Sequence, residues 1–150
     1  MNKGTPIIRK FEGLKLQAYL CPANVWTIGY GSTFYENGSK VQQGDKITLD
    51  RADRLLFDMV KRFEIGVKGL VKSDINENQL GALTSFAFNV GIGALQKSTL
   101  LKKVNANPND PTIRNEFMRW TRASGKVLKG LVNRREAEAN LYFQSVQNPA

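Results

Sequence analysis

The sequence predicts an α+β fold that is mostly helical, with a small β-containing lobe, a long linking helix and a helical C-terminal lobe. Three observations predict this arrangement. Trp26, Ile28 and Tyr30 alternate with other residues, which is the periodicity of a strand. From residue 48 onward the apolar residues recur every three or four positions, as in a helix. With 150 residues, of which 41% are hydrophobic, the chain is long enough to bury a core.

The β-containing lobe is predicted to span about residues 13–47. A short helix over residues 5–12 precedes it, with Thr5 as the expected cap and Pro6 at the first helical position. The segments "CPAN" and "ENGS" supply turns on either side of the alternating residues. We therefore expect a small antiparallel sheet within residues 15–36.

A single long linking helix is predicted over about residues 48–71. Its apolar stripe consists of Ala52, Leu55, Leu56, Met59, Phe63, Val67 and Leu70. Asp50 and Asp53 lie in the first turn, where the helix dipole favours negative charge. Gly66 and Gly69 each cost the helix about 1 kcal/mol relative to alanine. Its end is therefore expected to kink or to stop early.

The helical lobe is predicted to cover about residues 72–150. Asn76 and Gln79 have the spacing of a capping box, and Gly91 closes the helix that follows them. Ser98 caps another apolar run. These helices are expected to share the core of one domain.

Two more helices complete the predicted domain, which spans residues 1–150. One restarts after Asp110, and a last helix covers roughly residues 130–143. The short helix 5–12 is expected to pack with this helical lobe. A cleft between two lobes is a common place for a ligand site.

The composition excludes several classes of site. The chain has no histidine and one cysteine, which excludes serine–histidine triads, most zinc sites and an internal disulfide. The formal net charge is +9, from 22 basic and 13 acidic residues, and predicts attraction to a polyanion such as nucleic acid, anionic lipid or an acidic cell wall. We expect no membrane-spanning helix and no export signal.

The stretch "FEGLKLQAYLCPANVWTIGYGST" contains three candidate reactive residues. Eight residues separate Glu12 from Cys21, and five separate Cys21 from Thr27. Taken singly, they are more typical of a solvent-facing carboxylate, a small buried hydrophobe and an ordinary strand residue. The following "TIGYGS" lacks the third glycine of a dinucleotide loop, but its open backbone at Gly31 and Ser32 could approach a sugar.

The spacing of these three residues resembles that of the bacteriophage-type lysozymes, the endolysins of glycoside hydrolase family 24. The blocks "FEGLKLQAY", "WTIGYGST", "NENQLGALTSFAFNVG", "FMRW" and "GLVNRREAEANLY" are similar as well, so the resemblance covers about residues 7–143. It implies a lysozyme-like fold. The chain departs from many relatives at Cys21, where they have aspartate, and from some at Ser32, where they have histidine.

The resemblance implies a peptidoglycan hydrolase that cleaves the β-1,4 bond between N-acetylmuramic acid and N-acetylglucosamine, and thereby lyses the host of a phage. Glu12 would protonate the leaving oxygen, and Cys21 and Thr27 would position or activate water across the sugar. Burial would keep Glu12 protonated by disfavouring its charged form.

Further contacts with substrate are expected at Gly31, Ser32 and Arg119. Relatives often keep an arginine near the catalytic glutamate, and Arg119, Arg134 and Arg135 are the candidates for it. No metal and no cofactor is expected, because glycan cleavage needs neither.

The expected partner is the glycan strand of peptidoglycan rather than nucleic acid, and the expected state is a monomer. The protein would remain in the host cytoplasm until release and then act on the cell wall, in the periplasm of a Gram-negative host. Two alternatives stay open. One is a lytic transglycosylase, which releases anhydro-sugar ends without using water. The other is a basic, non-enzymatic module that binds a wall polymer or nucleic acid.

Overall fold

The structure, a computed structural model, describes residues 1–146. These residues form seven helices and four strands. The helices are α1 (Thr5–Glu12), α2 (Leu49–Leu70), α3 (Glu77–Val90), α4 (Ile92–Lys97), α5 (Thr99–Ala106), α6 (Ile113–Met118) and α7 (Lys129–Phe143). The strands are β1 (Lys15–Leu20), β2 (Trp26–Gly29), β3 (Arg122–Ala123) and β4 (Lys126–Val127). Within this part of the chain, no helix is both long enough and apolar enough to cross a bilayer.

The chain forms two compact units. Within residues 1–146, the hairpin unit comprises residues 9–62, and the helical unit comprises residues 1–8 together with residues 63–146. Strands β1 and β2 of the hairpin unit pair antiparallel, with Tyr19 opposite Thr27 and Leu20 opposite Trp26. The predicted antiparallel sheet is therefore confirmed.

A network of polar and aromatic side chains holds the loop between β2 and α2. The Tyr35 hydroxyl donates to Asp45 Oδ2 at 2.7 Å. Arg51 pairs with Glu36 Oε1 at 2.7 Å, and its guanidinium carbon lies 4.4 Å from the centroid of the Tyr35 ring. Because Arg51 lies in the first turn of α2, these contacts fasten the loop to the start of that helix.

Helix α2 confirms the predicted long helix, and it does not stop early at its glycines. Thr48 Oγ1 accepts from Arg51 N at 3.2 Å and so caps the helix. A Cβ placed on Gly66 would lie 2.8 Å from Ile92 Cδ1. Glycine at this position therefore lets α4 pack closely against α2, which offsets its poor helix propensity.

The helical unit has an apolar core centred on α3. The Phe86 ring meets the rings of Phe117 and Trp120 edge-on, with centroids 5.7 and 5.4 Å apart. The predicted capping box of Asn76 and Gln79 is present. Ser98 caps α5, as predicted, by accepting a hydrogen bond from a backbone amide in its first turn.

The start of α1 differs from the sequence-based prediction. Thr5 is the first residue of the helix rather than its cap. Gly4 occupies the preceding position, and its carbonyl accepts from Ile8 N at 3.0 Å. A Cβ on Gly4 would lie only 2.2 Å from Gly81 O, so the backbones of α3 and of this segment cross in direct contact. The prediction of Thr5 as a cap was wrong because it considered only side chains that can accept a hydrogen bond.

Candidate functional site

Glu12, the last residue of α1, lies beside Gly31. A Cβ placed on Gly31 would lie 3.7 Å from Glu12 Oε1. Gly31 has φ +102°, a conformation that L side chains rarely adopt, and it is exposed. The half-buried carboxylate therefore faces a stretch of open backbone, where a ligand could approach closely.

Cys21 begins the loop that joins β1 to β2. Its backbone N–H donates to Val25 O at 3.1 Å, and its carbonyl accepts from Asn24 N at 2.8 Å. Asn24 has φ +61°, which closes the loop tightly. Thr27 lies on β2 and is buried, and its hydroxyl donates to Val25 O at 2.9 Å.

The hairpin loop favours the ionised form of Cys21. Hydrogen bonds from the backbone of Val25 and then of Ala23 lower the pKa of the Cys21 thiol, desolvation raises it by less, and a hydrogen bond with the Thr27 side chain lowers it further. Thr27 has a single hydroxyl proton, which can point either to Val25 O or to the Cys21 sulfur. The hydroxyl can therefore donate a hydrogen bond to the thiolate when its proton rotates towards the sulfur.

A tight turn after Thr27 carries Gly31. Ile28 and Ser32 exchange two backbone hydrogen bonds of 2.8 Å, and they are the neighbours of Thr27 and Gly31 in sequence. This turn therefore connects the Cys21–Thr27 pair to the backbone beside Glu12. The Ser32 side chain is buried, and its hydroxyl donates to Met59 Sδ at 3.2 Å.

Arg119, the third expected contact for substrate, follows α6 in the helical unit. Its side chain is 68% exposed and pairs with Glu116 at 3.1 Å, and Lys103 binds the same carboxylate at 3.0 Å. Burial raises the pKa of Glu116, but the hydrogen bonds and charges of Lys103 and Arg119 together outweigh it, so the pKa is lowered. Arg119 also lines an open groove together with Trp120.

The other two candidate arginines lie in a buried ionic cluster on α7. Arg134 Nε contacts Glu138 Oε2 at 3.2 Å, and Arg135 forms a short hydrogen bond to Glu138 Oε1. Ser85 Oγ also donates to Glu138 Oε2, at 2.5 Å. The sequence-based reasoning missed Glu138, although its spacing of three and four residues from the two arginines was a signal for helical ion pairs.

The donor set also bears on metal binding. Among residues 1–146, no group of three or more Asp, Glu, Cys or His side chains is placed to hold a metal ion. The candidate residues on the hairpin unit carry instead a carboxylate (Glu12), a thiol (Cys21) and a hydroxyl (Thr27). A mostly helical α+β fold with a carboxylate at the end of its first helix, beside a small hairpin, defines the lysozyme-like class of proteins.

Comparison with known proteins identifies the family. The family described as Phage lysozyme matches residues 9–138. The endolysin of Bacillus phage B103 is 44% identical over 142 residues, which cover 93% of this chain and 52% of that protein. The endolysin of Acyrthosiphon pisum secondary endosymbiont phage 1 is 38% identical over 145 residues, which cover 94% of this chain and 95% of the relative. The chain belongs to the phage lysozyme family.

A solved structure agrees with this assignment. The endolysin from Escherichia coli O157:H7 phage FAHEc1 has a TM-score of 0.86 and 37% identity, with 99% of this chain and 96% of that chain covered. The predicted family resemblance and the predicted fold class are thus confirmed. The chain spans about half the length of the Bacillus phage relatives that it matches.

Proposed function

We propose that this chain is a lysozyme that hydrolyses the β-1,4 bond between N-acetylmuramic acid and N-acetylglucosamine in peptidoglycan. The family match over residues 9–138 carries the proposal, because this range includes Glu12, Cys21 and Thr27. The net charge of +9 also suits an anionic wall as a target. No observation favours a transglycosylase or a non-enzymatic binding module over this function.

Glu12 is the proposed general acid. Hydrolysis of a glycosidic bond needs a proton on the leaving oxygen. The Glu12 carboxyl faces the exposed backbone of Gly31, where the missing side chain leaves room for a sugar ring to approach. The proton held by Glu12 passes to the glycosidic oxygen as its bond to the anomeric carbon breaks.

Cys21 and Thr27 are the proposed second catalytic group. Positive charge develops at the anomeric carbon as the bond breaks, and a water molecule bonds to this carbon through its oxygen. A thiolate at Cys21 positions this water and accepts the proton that it loses. The backbone donors of the hairpin loop make this anion accessible by lowering the pKa of the thiol. Thr27 completes the pair by holding the thiolate, or a water molecule beside it, through its hydroxyl.

The three residues expected to contact substrate, Gly31, Ser32 and Arg119, have different proposed roles. We expect the backbone of Gly31 to contact the sugar and the exposed Arg119 guanidinium to bind a polar group of the substrate. The Ser32 hydroxyl already donates to Met59, so Ser32 supports the turn that carries Gly31. The proposed assembly is one lysozyme-like domain that acts as a monomer.

The proposed biological setting is lysis of a bacterial host. The protein would be held in the host cytoplasm and would act on the cell wall after release, in the periplasm of a Gram-negative host. Its relatives named endolysins support this setting.

Replacing the acid tests the function directly. Glu12→Gln should keep the circular dichroism spectrum of the parent and abolish its clearing of a peptidoglycan suspension. Glu136→Gln, which changes an exposed glutamate of α7 in the same way, should clear normally. Clearing by a folded Glu12→Gln variant at the parent rate would refute the assignment.

The products distinguish hydrolysis from the alternatives. Mass spectrometry of digested peptidoglycan should show reducing N-acetylmuramic acid ends. Anhydro-sugar ends would identify a transglycosylase, and intact strands would identify a binding module.

Substitution of Cys21 tests the second group. Cys21→Ser should lose most activity, because an alcohol ionises far less readily than a thiol. Cys21→Asp should keep much of it and remain active at lower pH, because a carboxyl group ionises near pH ~4. A folded Cys21→Ser variant as fast as the parent would remove Cys21 from the mechanism.

A further inference from the structure

A second ligand site is suggested by a pocket of about 150 Å³ in the hairpin unit. We call it the loop–helix pocket; its lining includes Gly31, Phe34, Tyr35, Glu36, Asp58 and Arg62. Because Gly31 also faces the Glu12 carboxyl, the pocket adjoins the proposed cleavage site. A group attached to the sugar at that site could therefore reach it.

Two charged side chains of the pocket are available to a ligand. Tyr35 and Glu36 are already engaged by the partners described above. The side chains of Asp58 and Arg62, by contrast, form no hydrogen bond or ion pair with any residue in the range 1–146. They lie four residues apart on α2, and this spacing places them on one face of the helix. Although this spacing would allow an ion pair, the two side chains form none with each other, so both charges are open to a ligand.

We propose that the loop–helix pocket binds the charged end of a peptide side chain attached to the glycan strand, an end that carries an ammonium and a carboxylate group. Asp58 would bind the ammonium and Arg62 the carboxylate. Phe34, which is 51% exposed, would cover the aliphatic part between them. This inference rests on the proposed function, because the peptide is part of the same substrate.

The charges favour a peptide over a second sugar ring. The N-acetylated sugars of the strand are neutral and offer hydroxyl and amide groups. An unpaired carboxylate and an unpaired guanidinium side by side match a ligand that carries both charges, since hydrogen bonds to ionised partners are stronger than those between neutral groups. The pocket would thus make the enzyme prefer strands whose peptides end in free charged groups.

A binding experiment with three ligands tests the assignment of each charge. The first ligand is the disaccharide product carrying a peptide. The last residue of this peptide has a free ammonium on its side chain and a free terminal carboxylate. The second has this ammonium acetylated, and the third has this carboxylate amidated. Titration calorimetry would measure their affinities for the parent, for Asp58→Asn and for Arg62→Gln.

Each modification of the ligand should weaken binding only to a protein that retains the side chain proposed to bind the modified group. Acetylation should weaken binding to the parent by about tenfold, the scale of one charge-assisted hydrogen bond, and should not weaken binding to Asp58→Asn further. Amidation should behave in the same way towards Arg62→Gln. Asp50→Asn and Arg54→Gln make the same changes on α2 outside the pocket lining, and they should respond as the parent does.

Equal affinity of the parent for all three ligands would overturn the inference. Loss of binding to the peptide-free disaccharide in Asp58→Asn would also overturn it, because the pocket would then be a sugar subsite. Calorimetry does not depend on hydrolysis, so the two proposals can be tested separately. If the parent cleaves peptidoglycan but binds all three ligands with equal affinity, only the inference about the pocket is refuted. A parent that neither cleaves peptidoglycan nor binds the ligands refutes the proposed function as well.

Discussion

Replacing Glu138 by glutamine should destabilise the protein more than a typical single substitution. The Glu138 side chain is fully buried, and its two oxygens accept from Arg134, Arg135 and Ser85. Arg134 and Arg135 are buried too. Desolvation lowers the pKa of Arg135, and the Glu138 carboxylate opposes that effect. Without the carboxylate, two buried guanidinium groups would lose the anion that they share.

The expected loss follows from this geometry. Breaking a buried ion pair by removing one partner costs about 3–5 kcal/mol. Glutamine retains the volume and one carbonyl acceptor of the glutamate, so we expect the lower end, about 3 kcal/mol. For a chain of this size, about 3 kcal/mol corresponds to a fall in Tm of roughly 6–12 °C.

Urea denaturation and differential scanning calorimetry would measure this loss. Glu136→Gln is the matched control, because Glu136 lies on the exposed side of α7 and should change the free energy of unfolding by less than about 0.5 kcal/mol. A Glu138→Gln variant within about 1 kcal/mol of the parent would refute the reasoning, because the buried cluster would then contribute no more than an ordinary surface contact.

Thr27→Val keeps the side-chain shape but removes a hydroxyl that lowers the pKa of Cys21, so alkylation by iodoacetamide should require higher pH than in the parent; an unchanged pH midpoint would contradict it. Gly81→Ala places a Cβ 2.6 Å from Gly4 N and should cost about 1–3 kcal/mol in urea denaturation, whereas Gly93→Ala meets open space and should not destabilise. The rate of wall clearing should fall between about 0.01 M and 0.15 M salt, because the Debye length shrinks from about 30 Å to about 8 Å; a flat profile would argue against steering by charge.

The elements that could be predicted from sequence are those with a sustained period or a complete capping pattern. Helix α2 shows the apolar repeat over six turns, and Asn76 with Gln79 marks the start of α3. The hairpin of β3 and β4 was missed because each strand has only two residues. The dipeptide Ser124–Gly125 forms its turn, with φ +52° and +78°. This dipeptide was the one local feature of the sequence that indicated a hairpin.

The parts of the site that are close in sequence were also the more predictable ones. Cys21 and Thr27 are brought together by a local hairpin, which the turn residues between them already indicate. The loop–helix pocket could not be predicted, because it forms only when the loop after β2 folds onto α2. Asp58 and Arg62 look like ordinary solvent-facing charges in the sequence, and only tertiary structure shows that they line one cavity.

The hairpin loop gives a physical reason why the thiol of Cys21 can ionise more readily than a free thiol. An unperturbed thiol has a pKa of about 8.5, so only a few per cent is ionised at neutral pH. Hydrogen bonding with the backbone of Val25 and then of Ala23 lowers the pKa of the Cys21 thiol and so favours the anion. These hydrogen bonds depend on the path of the backbone rather than on side chains, so a carboxylate at this position could use the same donors. A serine alcohol would gain from them as well, but its ionisation lies too far from neutral pH for such bonds to make it an anion. The loop therefore stabilises only side chains that can become anions near neutral pH. For this reason Cys21→Asp should keep much of the activity, whereas Cys21→Ser should lose most of it.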